Sequence, residues 1–230
     1  PPTPSKIIVH SRRNCFFIPL ICGRGERRVQ AGTPPLRMAL YGIADLHGDL
    51  EQAHAALKLC RLISEDGTWT GGNATLVQTG DLVDRGPDSL KVLKLFETLQ
   101  AQAAQSGGRV VTLLGNHEAL NLEGDFRYVH PSEMQATGPS TWSGLFHPST
   151  GAIGRAISKH ETAVVAGRGA CRTLFVHAGL RAELMSTNER GVSAMLADLA
   201  DPSRSNPPSA PADPPSAIMA AAALGWRSAP

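Results

Sequence analysis

Four short clusters in the chain bring together carboxylate, imidazole, amide and guanidinium side chains. They are Asp45-Leu46-His47-Gly48-Asp49, Gly80-Asp81-Leu82-Val83-Asp84-Arg85-Gly86, Gly115-Asn116-His117-Glu118 and His177-Ala178-Gly179-Leu180. Asp45 and His47 stand two residues apart, so in an extended segment they point to the same side and can share one cation. Mixed carboxylate, amide-oxygen and imidazole donors suit manganese, iron or zinc better than the soft metals that thiolates select. Two such ions about 4 Å apart clamp a phosphate and acidify a bridging water into a hydroxide nucleophile. The fork of an adjacent arginine, Arg85, can bond two oxygens of a tetrahedral oxyanion. Together these residue types point to hydrolysis of a phosphoester. Singly, each has a plainer explanation: an Asp after a strand caps a turn or helix, and an Asn-His pair is ordinary loop chemistry. Four such clusters in order, each after a strand, argue against coincidence. His10, His54, His130, His147 and His160 lack such neighbours and read as surface or structural.

The elements between the clusters have the right lengths to position them. Asp45 and Asp81 are 36 positions apart, and Asp81 and Asn116 are 35 apart. Each interval holds one helix and one strand, so successive clusters reach the same sheet edge. Met38–Ala44, Ala74–Thr79 and Arg109–Leu114 read as buried strands. Asp49 can cap a helix running to about Leu62, with Leu50, Ala53, Leu57 and Cys60 near helical spacing. A second helix spans about Asp88 to Gln105, with Leu90, Leu93, Phe96 and Leu99 as its apolar face. Beyond Glu118 the pattern reads as loop-rich until Ala163–Ala166 and Thr173–Val176, two strands paired around a Gly-Arg-Gly turn. A last helix is expected from about Asn188 to Leu199. Strands alternating with helices imply a layered α/β architecture, in which ligands sit beyond the carboxyl ends of strands.

A chain of 230 residues can bury one substantial core. The domain is expected over residues 37–200, preceded by an unstructured leader or targeting segment over 1–36 and followed by a Pro/Ala-rich tail over 201–230. Residues 1–44 hold seven basic side chains and one acid, against 15 and 19 in the remainder. An Arg-rich, acid-poor leader is compatible with import into the chloroplast, with mitochondrion or cytoplasm as alternatives. A nucleic-acid arm fits poorly, because no aromatic residues are interleaved among the basic ones. No apolar run approaches the ~20 residues of a membrane span. The four cysteines form no CxxC pair, which favours a reducing compartment.

The segments DLHGD, GDLVDRG, GNHE and HAGL resemble the signature of the phosphoprotein phosphatases, in the calcineurin-like metallophosphoesterase superfamily. The longer run GNHEALNLEGDFRYVHP, Gly115 to Pro131, is similar to the Shewanella-like protein phosphatase branch. The resemblance covers roughly Met38 to Leu180. It implies a β-sandwich flanked by helices and a pair of transition metals, manganese or iron with zinc as a further option. It also implies hydrolysis of phosphoserine, phosphothreonine or phosphotyrosine on protein substrates. Matching the motifs residue by residue, Asp45 and His47 bind the first metal, Asp81 bridges both, and Asn116 and His177 bind the second. Arg85 holds the substrate phosphate, His117 is the general acid and Asp84 orients it. Arg127, in the GDFRYV stretch, is a further candidate substrate contact. The family pattern also places a second-metal histidine and a phosphate-binding arginine downstream, whereas no histidine follows His177. The expectation is therefore a chain incomplete at its C-terminal end, or one with a weakened second metal. The competing readings are a non-catalytic or weakly active binding module and a dinucleotide polyphosphate hydrolase.

Overall fold

Three runs of apolar residues, each flanked by turn-forming residues, supply the strands that carry the first three clusters. They are Leu40–Ile43 (β3), Thr75–Gln78 (β4) and Arg109–Thr112 (β5) in a computed structural model. The structure describes residues 39–167 and 172–178 in full, together with the backbone of 7–8 and 18–20. Those two backbone segments, inside the leader to which the sequence analysis assigns no fold, are the short strands β1 (Ile7–Ile8) and β2 (Ile18–Leu20). The expected helix at 188–199 and the Pro/Ala-rich tail lie outside the described residues. β3, β4 and β5 are parallel neighbours, and β2 lies antiparallel on the outer edge of β3.

A second sheet has the order β1–β7–β6, where β6 is Ala163–Ala166 and β7 is Thr173–Val176. β6 and β7 are antiparallel, with Ala163 opposite Val176 and Ala166 opposite Thr173. Leu40, Val77, Val111 and Leu113 from the first sheet cluster with Val164, Ala166 and Phe175 from the second. This is the interior of a sandwich, formed because alternate residues of each strand face inward.

The other face of the first sheet is covered by helices. In α1 (Leu50–Leu59), Asp49 accepts the Gln52 N–H at 2.9 Å as N-cap, and Ala53 and Leu57 are buried one turn apart. In α2 (Ser89–Gln105) the buried residues Ser89, Val92, Phe96, Leu99 and Ala103 recur at alternating spacings of three and four. The fully buried stripe thus runs through Val92, while the expected Leu90 and Leu93 are only half-buried at its margin. Truncating Phe96, 1% exposed, to alanine would cost about 3–5 kcal/mol.

The stretch after Glu118 corrects the expectation of a loop-rich region. It holds the end of α3 (Asn116–Glu123) and three further short helices, α4 (Pro131–Thr137), α5 (Pro139–Phe146) and α6 (Ala152–Ile157). Pro131 and Pro139 open two of them, since proline's fixed φ and missing N–H suit a first helical turn. Trp142 and Phe146, four residues apart, stack at 4.9 Å and are fully buried. Among the described residues, no helix is long and apolar enough to cross a membrane.

Candidate active site

β3, β4, β5 and β7 each end just before one of the four clusters, so the clusters meet where the two sheets present their carboxyl ends. The loops are bonded to one another. The Asp81 carbonyl accepts the N–H groups of Leu46 and His47, both at 2.9 Å. His47 has φ +46°, so the segment is not extended there, and the loop rather than a strand-like alternation brings His47 beside Asp45. Asp81, Asp84 and Arg85 also have positive φ, at 58°, 70° and 67°. Each such residue costs about 1–3 kcal/mol and persists only where its surroundings hold it. Gly80 shows how tight the crossing is: a Cβ there would stand 2.6 Å from the Gly115 Cα.

The buried carboxylate of Glu118 does much of the holding. Oε2 accepts the N–H groups of Asp81 at 2.8 Å and Gly115 at 2.7 Å, and Oε1 those of Leu82 at 2.7 Å and Val83 at 3.2 Å. In sequence, Glu118 stands in the Gly115-Asn116-His117-Glu118 cluster with no evident role. The available signal was its place two residues after Asn116 at the start of a helix, where an acid can reach backbone N–H groups.

Two sets of donors converge on Asp81. Asp45, Asp81 and His177 form one, and His47, Asp81 and His117 the other, each with its ligand atoms within 4.8 Å of one another. His47 Nε2 lies 3.7 Å from both Asp45 Oδ2 and Asp81 Oδ2. His177 Nε2 lies 3.6 Å from Asp81 Oδ2 and 3.1 Å from Asn116 Oδ1. Donors about 2.0–2.2 Å from a shared ion stand about 3.0–3.5 Å apart, so these separations are close to those of a coordination shell.

The proton positions agree with that. His177 Nδ1 lies 2.7 Å from the Thr79 carbonyl and His47 Nδ1 3.2 Å from the Val83 carbonyl. Each carbonyl accepts an Nδ1–H, which leaves Nε2 as the ring atom nearest the Asp81 carboxylate. Burial, the Arg85 guanidinium and His117 together push His47 down to about 4, so its ring is neutral. Burial, with the charge of Asp45, pushes the Asp81 carboxyl up, and burial with the charge of Asp81 does the same to Glu118. The neutral His47 imidazole and a buried carboxylate that resists ionisation are groups whose arrangement a cation would balance. The donor set fits a metal pair.

A different arrangement surrounds His117, which is 2% exposed. Its Nδ1–H is donated to Asp84 Oδ2 at 2.8 Å. Asn121 Nδ2 donates to Asp84 Oδ1 at 2.9 Å, and Trp142 Nε1 donates to Asn121 Oδ1 at 2.9 Å. Burial opposes a charge on His117, but the Asp84 hydrogen bond and the Asp81 and Asp84 carboxylates outweigh it and raise its pKa. Asn121 and Trp142 were missed in sequence. Asn121 stands one helical turn after His117, a spacing that could have flagged it.

Arg85 spans the two arrangements. One terminal nitrogen donates to His47 Nε2 at 2.8 Å and the other to His117 Nε2 at 3.0 Å. Its backbone N–H bonds the Tyr128 carbonyl at 2.8 Å. Arg127 lies on the exposed loop after α3, bonded to both oxygens of Asp125, with its guanidinium 5.7 Å from the Tyr128 ring centre. All the other candidate residues, Asp45, His47, Asp81, Asp84, Arg85, Asn116, His117 and His177, are linked in one connected group by the contacts above.

A family model described as calcineurin-like phosphoesterase matches residues 38–212. Shewanella-like protein phosphatase 2 of Arabidopsis thaliana is 50% identical over 90 residues, 39% of this chain and 23% of that protein. Shewanella-like protein phosphatase 1 of Plasmodium berghei is 41% identical over 96 residues, 42% of this chain and 26% of that protein. The chain thus spans about a quarter of the length of these curated relatives. A crystal structure of the cold-active protein-tyrosine phosphatase of a psychrophilic Shewanella superposes with a TM-score of 0.58 at 30% identity, over 70% of this chain and 48% of that one. The layered β-sandwich, the donor sets on Asp81 and the match over most of the chain agree: this protein belongs to the calcineurin-like phosphoesterase family of metal-dependent phosphoester hydrolases.

Proposed function

We propose that this domain hydrolyses phosphate monoesters on proteins, on serine and threonine and also on tyrosine. The observation that carries the reading is the position of Arg85, whose guanidinium lies between His47 Nε2 on the metal side and His117 Nε2 on the acid side. Asp45, His47 and Asp81 would hold one cation, and Asp81, Asn116 and His177 the other, which divides the donors around Asp81 differently from the two geometric groupings. Their oxygen and nitrogen donors favour manganese or iron, with zinc next. When bound, the pair supplies Lewis-acid polarisation of the phosphoryl group and a more acidic water. The relatives named protein phosphatases support a protein substrate.

The protein's own part follows from the hydrogen bonds. Without substrate, Arg85 spends both ends of its fork on imidazole nitrogens. A phosphate dianion is the stronger partner, because charge-assisted bonds to it are bidentate. Turning to the phosphate, Arg85 releases His117 Nε2. That nitrogen can then carry a proton to the leaving oxygen, while Asp84 holds Nδ1 and favours the charged ring. Asn121 and Trp142 keep Asp84 in place throughout.

The test is a substrate panel on the purified chain with added manganese: phosphoserine and phosphotyrosine peptides, an aryl phosphate and a dinucleotide polyphosphate. Phosphate release from the peptides, lost in Asp81→Asn, is the expected result. Release from the dinucleotide alone would favour the nucleotide-hydrolase reading. Phosphopeptide binding without turnover would make the domain a binding module.

A further inference from the structure

The margin of the site carries one conspicuous aromatic side chain. Among the described residues the exposed large hydrophobic side chains are Leu59, at the end of α1, and Tyr128, which is 41% exposed. Tyr128 is joined to the site twice. Its ring meets the His117 imidazole with centroids 5.1 Å apart and planes inclined at 62°. Its carbonyl holds the backbone N–H of Arg85 at 2.8 Å. The next residue, Val129, is buried in the core, and Arg127 stands over the ring with its own charge bound to Asp125. The ring is therefore held at a fixed place beside the acid while much of it stays open to solvent.

That place matters for the reaction proposed above, on which this inference rests. The phosphate lies at Arg85 and the leaving oxygen at His117 Nε2. The organic group attached to that oxygen would extend past a flank of His117, and the partly exposed Tyr128 ring packs against that imidazole. A serine or threonine phosphoester offers the ring only a methylene or a methyl group. A phenolic ester offers a second ring, which can stack on Tyr128 or meet it edge to face. We infer that Tyr128 is a specificity-determining contact for the organic part of the substrate and favours aryl phosphate esters, phosphotyrosine among them, over alkyl ones. An aromatic pair of this kind is worth about a 2- to 12-fold preference.

Calorimetric titration of the manganese-loaded chain tests this with three probes that need no turnover: phenylphosphonate, methylphosphonate and inorganic phosphate. Wild type is expected to bind phenylphosphonate about 5-fold more tightly than methylphosphonate. Tyr128→Phe should keep that preference and Tyr128→Ala should abolish it. Inorganic phosphate, which has no organic group to meet the ring, should bind all three proteins alike. If the alanine variant does not fold, Tyr128→Leu, which keeps apolar bulk without a ring, takes its place. A preference surviving in the alanine or leucine variant overturns the inference. Equal losses for all three probes also overturn it, because the ring would then only prop Arg85 or His117. Phosphate binding in wild type with no aryl preference overturns the Tyr128 contact alone. Failure of wild type to bind any of the three overturns the phosphate-site reading and the contact together.

Discussion

Around His117 the protein supplies its own partners. Asp84 takes the ring N–H, Asn121 takes the second Asp84 oxygen, and Trp142 takes the Asn121 oxygen, each at 2.8–2.9 Å among side chains that are almost fully buried. On the other side of Arg85, imidazole nitrogens and side-chain oxygens crowd around Asp81. His177 Nε2 points at Asn116 Oδ1, and His47 Nε2 stands between two carboxylate oxygens. The first arrangement is complete on folding, as a buried polar network must be if it is not to cost more than an apolar core. The second gathers carboxylate, amide and imidazole ligand atoms that a shared cation would draw together. The acid corner is thus held by bonds of the folded chain, whereas the other corner assembles the atoms that could ligate ions.

The sharpest challenge to this division is Asp81→Asn. Asp81 belongs to both donor sets, so cation affinity should fall at both sites by more than about 100-fold, beyond the loss typical of groups that only support a ligand. Titration calorimetry with manganese measures it, and retention of one tight site would show that Asp81 is not shared. His117→Asn attacks the other corner. Metal content should persist while hydrolysis of alkyl phosphates slows by about 10²–10⁴-fold. An activated aryl phosphate, whose leaving group needs little protonation, should suffer less, and equal losses would count against His117 as the acid.

Asn121→Leu is a smaller perturbation confined to the acid corner. It strands Asp84 Oδ1 and Trp142 Nε1 without their present partner, at about 1–3 kcal/mol each. Chemical denaturation should report that loss with cation affinity unchanged; a parallel loss of metal would mean the two corners are one unit. Arg85→Ala should weaken inorganic phosphate binding by about 1.5–3 kcal/mol without removing metal. Metal loss in that variant would reassign Arg85 to holding the loop.

How far the sequence could be read follows the same division. β3, β4, β5, β6 and β7 lie within or coincide with the expected strands, because continuous apolar runs bounded by turn residues leave few alternatives. Asp49 as the cap of α1 was visible for the same local reason. The region after Glu118 was not. Helices of six to eight residues have too few turns to show a periodic stripe, and they are held by tertiary burial, as of Trp142 and Phe146 in α5 and Ile157 in α6. The clusters themselves were readable because each follows a strand. Their internal geometry was not, since His47, Asp81, Asp84 and Arg85 adopt left-handed backbone that local preference disfavours and only the bonds from Glu118 and the neighbouring loops sustain. Glu118, Asn121 and Trp142 act by holding other groups, and such a role appears only once the partners are placed.

The separation of the two corners is tested most directly by imidazole ¹⁵N spectra of the labelled chain with and without zinc, the histidines being assigned through single substitutions. His117 is close enough to Asp81 and His47 to be a ligand itself, so the experiment has two real outcomes. Nε2 of His47 and of His177 is expected to shift on zinc binding, while His117 keeps its Nδ1–H on Asp84 and a metal-free Nε2. A metal-induced shift at His117 Nε2 would contradict the separation, placing the residue among the ligands and leaving the leaving group without its acid.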